Sequence, residues 1–363
     1  VNKHDWSRFL AAVAATFAAV AASAIPVGVT VNGTPLDSGG PSYGAGWLYD
    51  PGSSTLFLFG TEPFTLSGAN ESGGVCVVVL DGATNTVTLS NLTLRATGND
   101  QCAFALRPNA NVLLFLAGTN TLVSGRRRAG LEVAAGRTLS ISHAPGDAAG
   151  ALTATGGEGG AGIGGGEYGA GGMVTVTGGV VTATGGDSGA GIGGGRESEG
   201  GTVTVTGGAV TAKGGEYGAG IGGGDQGDGG TVTVNGGTVS ATGGYGGAGI
   251  GGGASGGAVG TVTVSGGTVF AQGAGDGSDI GPGDYGAASG LNLFTGGTIR
   301  LANSLVGPKP SNGMNHPVAC AVVTGFEPDA QVIFGSAANL PDYYGTDDIF
   351  ADAVGCIYLW PPD

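Results

Sequence analysis

From residue 151 onward the chain is written in short runs that alternate apolar and small polar residues, and the runs recur. In one unit Thr202-Val203-Thr204-Val205-Thr206 alternates with period two, Gly207-Gly208 follows, and Val210-Thr211-Ala212 alternates again. A third run, Gly218-Ala219-Gly220-Ile221-Gly222, closes the unit. Such alternation predicts half-buried strands, with Val, Ala and Ile inward and Thr or Gly outward. The Ile of each Gly-Ala-Gly-Ile-Gly-Gly-Gly unit recurs at Ile163, Ile192, Ile221 and Ile250, 29 residues apart, and again at Ile280 after 30. A second column runs Val176, Val205, Val234, Val264, Leu293, and a third runs Val181, Val210, Val239, Val269, Ile299. A fixed period of this length carried by strands predicts a solenoid. Three strands per turn predict an all-β parallel β-helix with turns about 4.8 Å apart. Its hand is taken as right by analogy with three-sided β-helices in general.

The pattern reaches back beyond the obvious repeats. Val78, Phe104 and Leu131 continue the Ile column, which predicts about eight turns between residues 74 and 303, on the order of 40 Å in length. Early turns hold Leu114, Leu116, Leu139 and Ile141, and later ones mostly Val, Ala and Ile. The early end is therefore expected to be the more stable, because it buries more apolar area. The same register sets Cys76 directly beneath Cys102, within reach of a disulfide, and leaves Cys320 and Cys356 as a second pair. Buried free thiols are the alternative. Solenoid ends need covers. Residues 25–73, with an aromatic hairpin around Asp50-Pro51-Gly52-Ser53, are expected to cap the first turn. Residues 304–363 are expected to form a small β module, with strands near 319–323, 331–334 and 356–360.

Composition changes the picture in three ways. Gly 83 and Pro 15 in 363 residues suggest disorder, but 11% charged and 40% hydrophobic residues do not. Residues 1–24 read as an export leader, with Lys3, His4 and Arg8 ahead of an apolar run and Ala22-Ser23-Ala24 as a small-x-small cleavage site. The other reading of that segment is an uncleaved anchor. The predicted location is secreted or cell-surface. A net charge of −15 argues against nucleic acid, which needs a basic face. The one basic run, Arg126-Arg127-Arg128, reads as a solvated turn or an anion contact.

The run Gly118-Thr119-Asn120-Thr121-Leu122, the Gly-Ala-Gly-Ile-Gly-Gly-Gly units and the Gly-Gly-Thr-Val-Thr-Val units resemble Gly-rich β-helical surface proteins of bacteria. Tyr344-Gly345-Thr346-Asp347-Asp348 and Tyr358-Leu359-Trp360 are similar to a segment that follows such repeats in cell-wall proteins. The resemblance implies an adhesin-like or carbohydrate-binding role at the cell surface.

Several residue sets are candidates for function. The 29-residue spacing stacks Glu158, Asp187 and Glu216, where like charges repel unless a cation such as Ca²⁺ or splaying into water relieves them. Tyr168, Tyr217, Tyr245 and Tyr285 fall in turns, where an aromatic ring beside carboxylates is a sugar-binding pattern. Thr175, Thr177, Thr202, Thr204, Thr231, Thr233, Thr261 and Thr263 form a ladder like those of ice-binding solenoids. Thr is also simply favoured on exposed strands. A bare glycine face, Gly162/Gly164, Gly191/Gly193, Gly220/Gly222 and Gly249/Gly251, offers a flat surface for self-association. Catalysis has little to build on. His143 and His316 belong to no metal-ligand pair, and Asp37-Ser38-Gly39 and Gly186-Asp187-Ser188-Gly189 only mimic protease fragments. A polysaccharide lyase or glycosidase of the pectin-lyase type would need a basic cluster, whereas Arg137, Arg196, Lys213 and Arg300 are scattered. The expected function is therefore non-enzymatic, with a cell-surface glycan or polysaccharide as partner.

Overall fold

The structure, a computed structural model, describes residues 26–71, 74–287, 290–302, 321–324 and 356–359. Among them every regular element is a β-strand. The chain opens with Pro26–Val31 paired antiparallel to Thr34–Asp37 across the turn Asn32-Gly33. Both turn residues have positive φ (50° and 78°), the conformation that matches strand twist in tight hairpins. Ser42–Gly44, Trp47–Asp50 and Thr55–Leu58 then form an antiparallel meander. Trp47, Tyr49 and Phe64 are buried in this region and close the first turn with large side chains.

Parallel stacking begins ahead of residue 74. Thr55–Leu58 takes Cys76–Val79 as its parallel neighbour, and Phe64–Asn70 takes Thr84–Ala96. Eight strands from Cys76–Val79 to Ile280–Gly281 then stack in parallel, so seven complete turns separate the first from the last. This is the all-β parallel solenoid that the repeat predicts. Two longer strands of each turn build a second, larger sheet. In later turns they run on as one strand, as in Thr231–Tyr245, bent at Gly236-Gly237. Leu131, Ile163, Ile192, Ile221, Ile250 and Ile280 pair successively, and all are fully buried. The column Val181, Val210, Val239, Val269, Ile299 is likewise in register.

Two registers differ from the expectation. Phe104 lies level with Val77, not Val78. Val77 and Val79 are fully buried while Val78 keeps slight exposure, so the inward parity falls on the odd-numbered residues. Cys102 is thereby level with Val75, and Cys76 is half-buried on the opposite side of its strand. Both thiols are free. The Cys102 Sγ lies 3.3 Å from the carbonyls of Phe104 and Ala129, and the Cys76 Sγ lies 3.5 Å from that of Gly74. The disulfide between them is therefore not formed, because a one-residue shift turns one side chain away. In the last turn Val264 pairs with Phe294 rather than Leu293. That turn keeps a 30-residue length on both sides of a bulge at Ser265, as Ile250 to Ile280 and Val269 to Ile299 also show.

After the last described turn, Ala321–Thr324 adds parallel to Leu293 and Phe294 and pairs antiparallel with Cys356–Leu359. The leader at 1–24, Cys320, His316 and the strand expected at 331–334 lie outside the described residues.

Candidate binding surfaces

The solenoid has two flat faces and one covered edge. On the first face Thr202, Thr231 and Thr261 are in register, as are Thr175, Thr204, Thr233 and Thr263. Met173 stands level with Thr202 on one side and Thr138 on the other, so a methionine interrupts the outer column, which runs on through Thr138 and Asn111 to Thr84. Thr177 is placed at the strand end, where its hydroxyl donates to the Ile141 carbonyl at 3.1 Å. The second face carries a longer column that the sequence reading missed: Thr93, Thr121, Thr153, Thr182, Thr211 and Ser240. Its intervals vary from 28 to 32 residues, which hid it from a fixed-period search.

The third side is not a bare face. All eight glycines expected to line it are buried. A Cβ on Gly193, whose φ is +139°, would sit 2.0 Å from the Gly222 carbonyl oxygen, and one on Gly191 would sit 2.6 Å from that of Gly220. These glycines let one backbone pack on the next, so the open surface needed for self-association there is absent. Two loops also fold over the short Ile-Gly strands. The loop after each strand bonds to the loop before the strand of the preceding turn. The bonds are Glu167 N–H to Arg127 O (2.8 Å), Arg196 to Gly159 (2.8 Å), Asp225 to Ser188 (2.8 Å), Ala254 to Tyr217 (2.9 Å) and Asp284 to Gly246 (2.7 Å). The result is a zipped seam along the solenoid.

The charged and aromatic candidates meet on this seam. At its early end Arg126 pairs with Glu158 (2.8 Å), Arg127 with Glu167 (3.0 Å) and Arg128 with Glu132 (3.3 Å). The arginine run is thus a solvated turn whose side chains are ion-paired, two to carboxylates of the next turn and Arg128 to Glu132 on the strand that follows it. Glu158 being so engaged, the acidic column does not act as a unit. Among the described residues no three His, Cys, Asp or Glu side chains are grouped to hold a metal. The Ca²⁺ site expected at Glu158, Asp187 and Glu216 is not formed.

The four tyrosines are all exposed, at 63% for Tyr168, 37% for Tyr217, 67% for Tyr245 and 75% for Tyr285. Tyr168 stands toward the arginine end, its N–H bonded to Arg196 O at 3.0 Å. The other three gather farther along. Tyr217 and Tyr245 occupy successive turns on one side of the seam, and Asp284-Tyr285 faces them from the loop bonded to Gly246. The Tyr217 hydroxyl donates to Glu216 Oε1 at 3.0 Å. That bond, with the nearby Glu216 and Asp225 charges, raises the phenol above its ordinary pKa.

The basic residues considered for catalysis lie apart. Arg137 precedes the first flat face, Arg196 sits in the seam, and Lys213 is on the second face level with Thr184 and Thr242. The fold and surfaces define a parallel β-solenoid with a zipped, tyrosine-bearing edge. Comparison with known proteins gives no matching family, no matching curated protein and no matching solved structure.

Proposed function

We propose that this is an exported, adhesin-like, non-enzymatic β-solenoid that binds an extended glycan along the seam. The observation that carries the reading is the row Tyr217, Tyr245 and Tyr285. These are exposed rings on two loops and a strand end whose backbones are fixed by hydrogen bonds to neighbouring turns. A ring offers a sugar's apolar face a large contact area while its hydroxyl stays wet, and a rigid mount lowers the ordering cost of binding. The early Arg–Glu pairs leave this part of the seam as the free aromatic surface. The resemblance to bacterial surface proteins supports the same reading.

The test is retention of the chain on a panel of immobilised polysaccharides, with release of shortened sugar scored in parallel. Replacing Tyr245 and Tyr285 together by Ala is expected to weaken retention at least tenfold while leaving the circular dichroism unchanged. Undiminished retention would remove the seam as the binding surface. Shortened sugar would show an enzyme.

A further inference from the structure

One position of the seam is strained in every turn from Ile163 onward. The fifth residue after each Ile of that column is Tyr168, Glu197, Gln226, Ser255 and Tyr285 in succession. All five have φ between 56° and 62°, the left-handed region that side chains disfavour and glycine does not. Beyond Arg127, every other described residue with positive φ is glycine. A chain with 83 glycines thus omits glycine at this one position, and none of the five is the Asn or Asp that best tolerates it.

The five residues form one column at the loop tips. Tyr168 N–H bonds to Arg196 O (3.0 Å), Glu197 N–H to Asp225 O (2.7 Å) and Gln226 N–H to Ala254 O (2.7 Å). Ser255 N–H bonds to Asp284 Oδ1 (2.6 Å). Each tip is thereby pinned to the residue just ahead of the next one, and all five residues are exposed. Glu197 turns back to Arg196 Nε (3.3 Å). Among the described residues, no hydrogen bond or ion pair holds the side chains of Tyr168, Gln226, Ser255 or Tyr285. These side chains add no polar bond to the fold, and strain kept without one marks a side chain with a use outside it.

We infer that this column is the contact line for one extended, uncharged glycan chain lying parallel to the solenoid axis. This rests on the glycan reading above and adds the class of glycan and its direction. Tyr168 and Tyr285 offer a ring at each end for the apolar faces of sugars. Gln226 and Ser255 supply neutral donors and acceptors for hydroxyls between them. Four steps of about 4.8 Å place the two ends on the order of 19 Å apart. Glu197 is the column's one charge, so an acidic polysaccharide meets repulsion there and no cation.

The experiment compares retention of the full chain on immobilised neutral polysaccharides (β-glucan, xylan, mannan) and on acidic pectate, with a urea midpoint measured for each variant. Tyr168→Gly combined with Gln226→Gly is expected to weaken retention on the neutral polymers about tenfold. Its midpoint should be unchanged or higher, because glycine relieves the left-handed position. Full retention in that double variant, or a lowered midpoint, would overturn the column and leave the glycan reading to the Tyr245 and Tyr285 substitutions. Equal or stronger retention of the unsubstituted chain on pectate would overturn the uncharged class. Retention on no polymer at all would overturn both readings.

Discussion

The two halves of this solenoid reach the same stacking by opposite means. In the earlier turns the interior is filled by Leu66, Leu89, Leu94, Phe104, Leu106 and Leu114, all essentially without exposure. In the later turns it holds Val, Ala and Ile, and the turns close on glycine. Gly193, Gly222 and Gly251 each have φ near +138°, and a Cβ on them would sit 2.0, 2.0 and 1.9 Å from the carbonyl oxygen of the next turn. Large side chains fill the interior of the first half, and in the second half backbone packs against glycine. Apolar burial contributes about 25 cal/mol per Å², so the first half gains more from its core. The second half depends more on its backbone bonds.

Glycines packed on backbone, which close every late turn, are more sensitive positions than open ones such as Gly136. Gly222→Val is expected to cost about 4 kcal/mol or more, since backbone, not a flexible side chain, occupies the space, and strained substitutions of this kind fill the tail of the distribution. Gly136→Ala, where nothing lies within 4 Å, should cost about 1 kcal/mol for its positive φ. Urea titration followed by circular dichroism compares them. Equal midpoints for the two variants would show that the late turns can spread, and the contrast would fail.

The next effect belongs to the early half. Phe104→Ala is expected to cost about 3–5 kcal/mol through the cavity it leaves between Val77 and Leu131. Because stacked repeats unfold by regions rather than as one unit, the loss should fall on the early turns alone. A variant in which both halves melt together earlier would show a single cooperative body.

Cys102 supplies the smallest effect and a probe confined to the early half. Burial, with the Glu132 charge, pushes its thiol well above the ordinary value of 9.0. Its folded-state pKa is raised, so its contribution is whole below pH 9 and declines above it, as the unfolded chain alone ionises. The decline is expected at about 1 kcal/mol per pH unit and should vanish in Cys102→Ala. With Cys76, Cys320 and Cys356 all replaced by Ala, labelling of Cys102 by a thiol reagent should track opening of the early turns. Rapid labelling of the folded protein would contradict the burial.

Most of the solenoid was legible because identity and spacing coincide. Ile163 to Ile250 repeat both residue and interval, and the ladder follows them. At Cys76–Val79 the signal fails, since Val77, Val78 and Val79 are all apolar and alternation cannot choose a parity. The 30-residue last turn misled the Leu293 assignment for a related reason, because Leu293 and Phe294 are both acceptable inward residues. The seam was half visible. Its tyrosines and carboxylates could be read, but the bonds that join Asp225 to Ser188 and Asp284 to Gly246 run through backbone atoms and leave no side-chain pattern. The covered glycines were misread because the sequence shows a missing side chain but not the neighbour filling its place.

The stagger of the seam has a mechanical consequence. Each loop after a short strand is tied within its own turn, as by Ala190 N–H to Gly194 O, and also to the turn before it, so a pull along the axis loads two kinds of link between neighbours at once: the strand ladder and the offset loop bond. A pull across the axis at one end meets them one turn at a time. The molecule should therefore resist tension along its length far better than peeling from an end. A rod with that anisotropy transmits force faithfully between whatever is attached to its two ends.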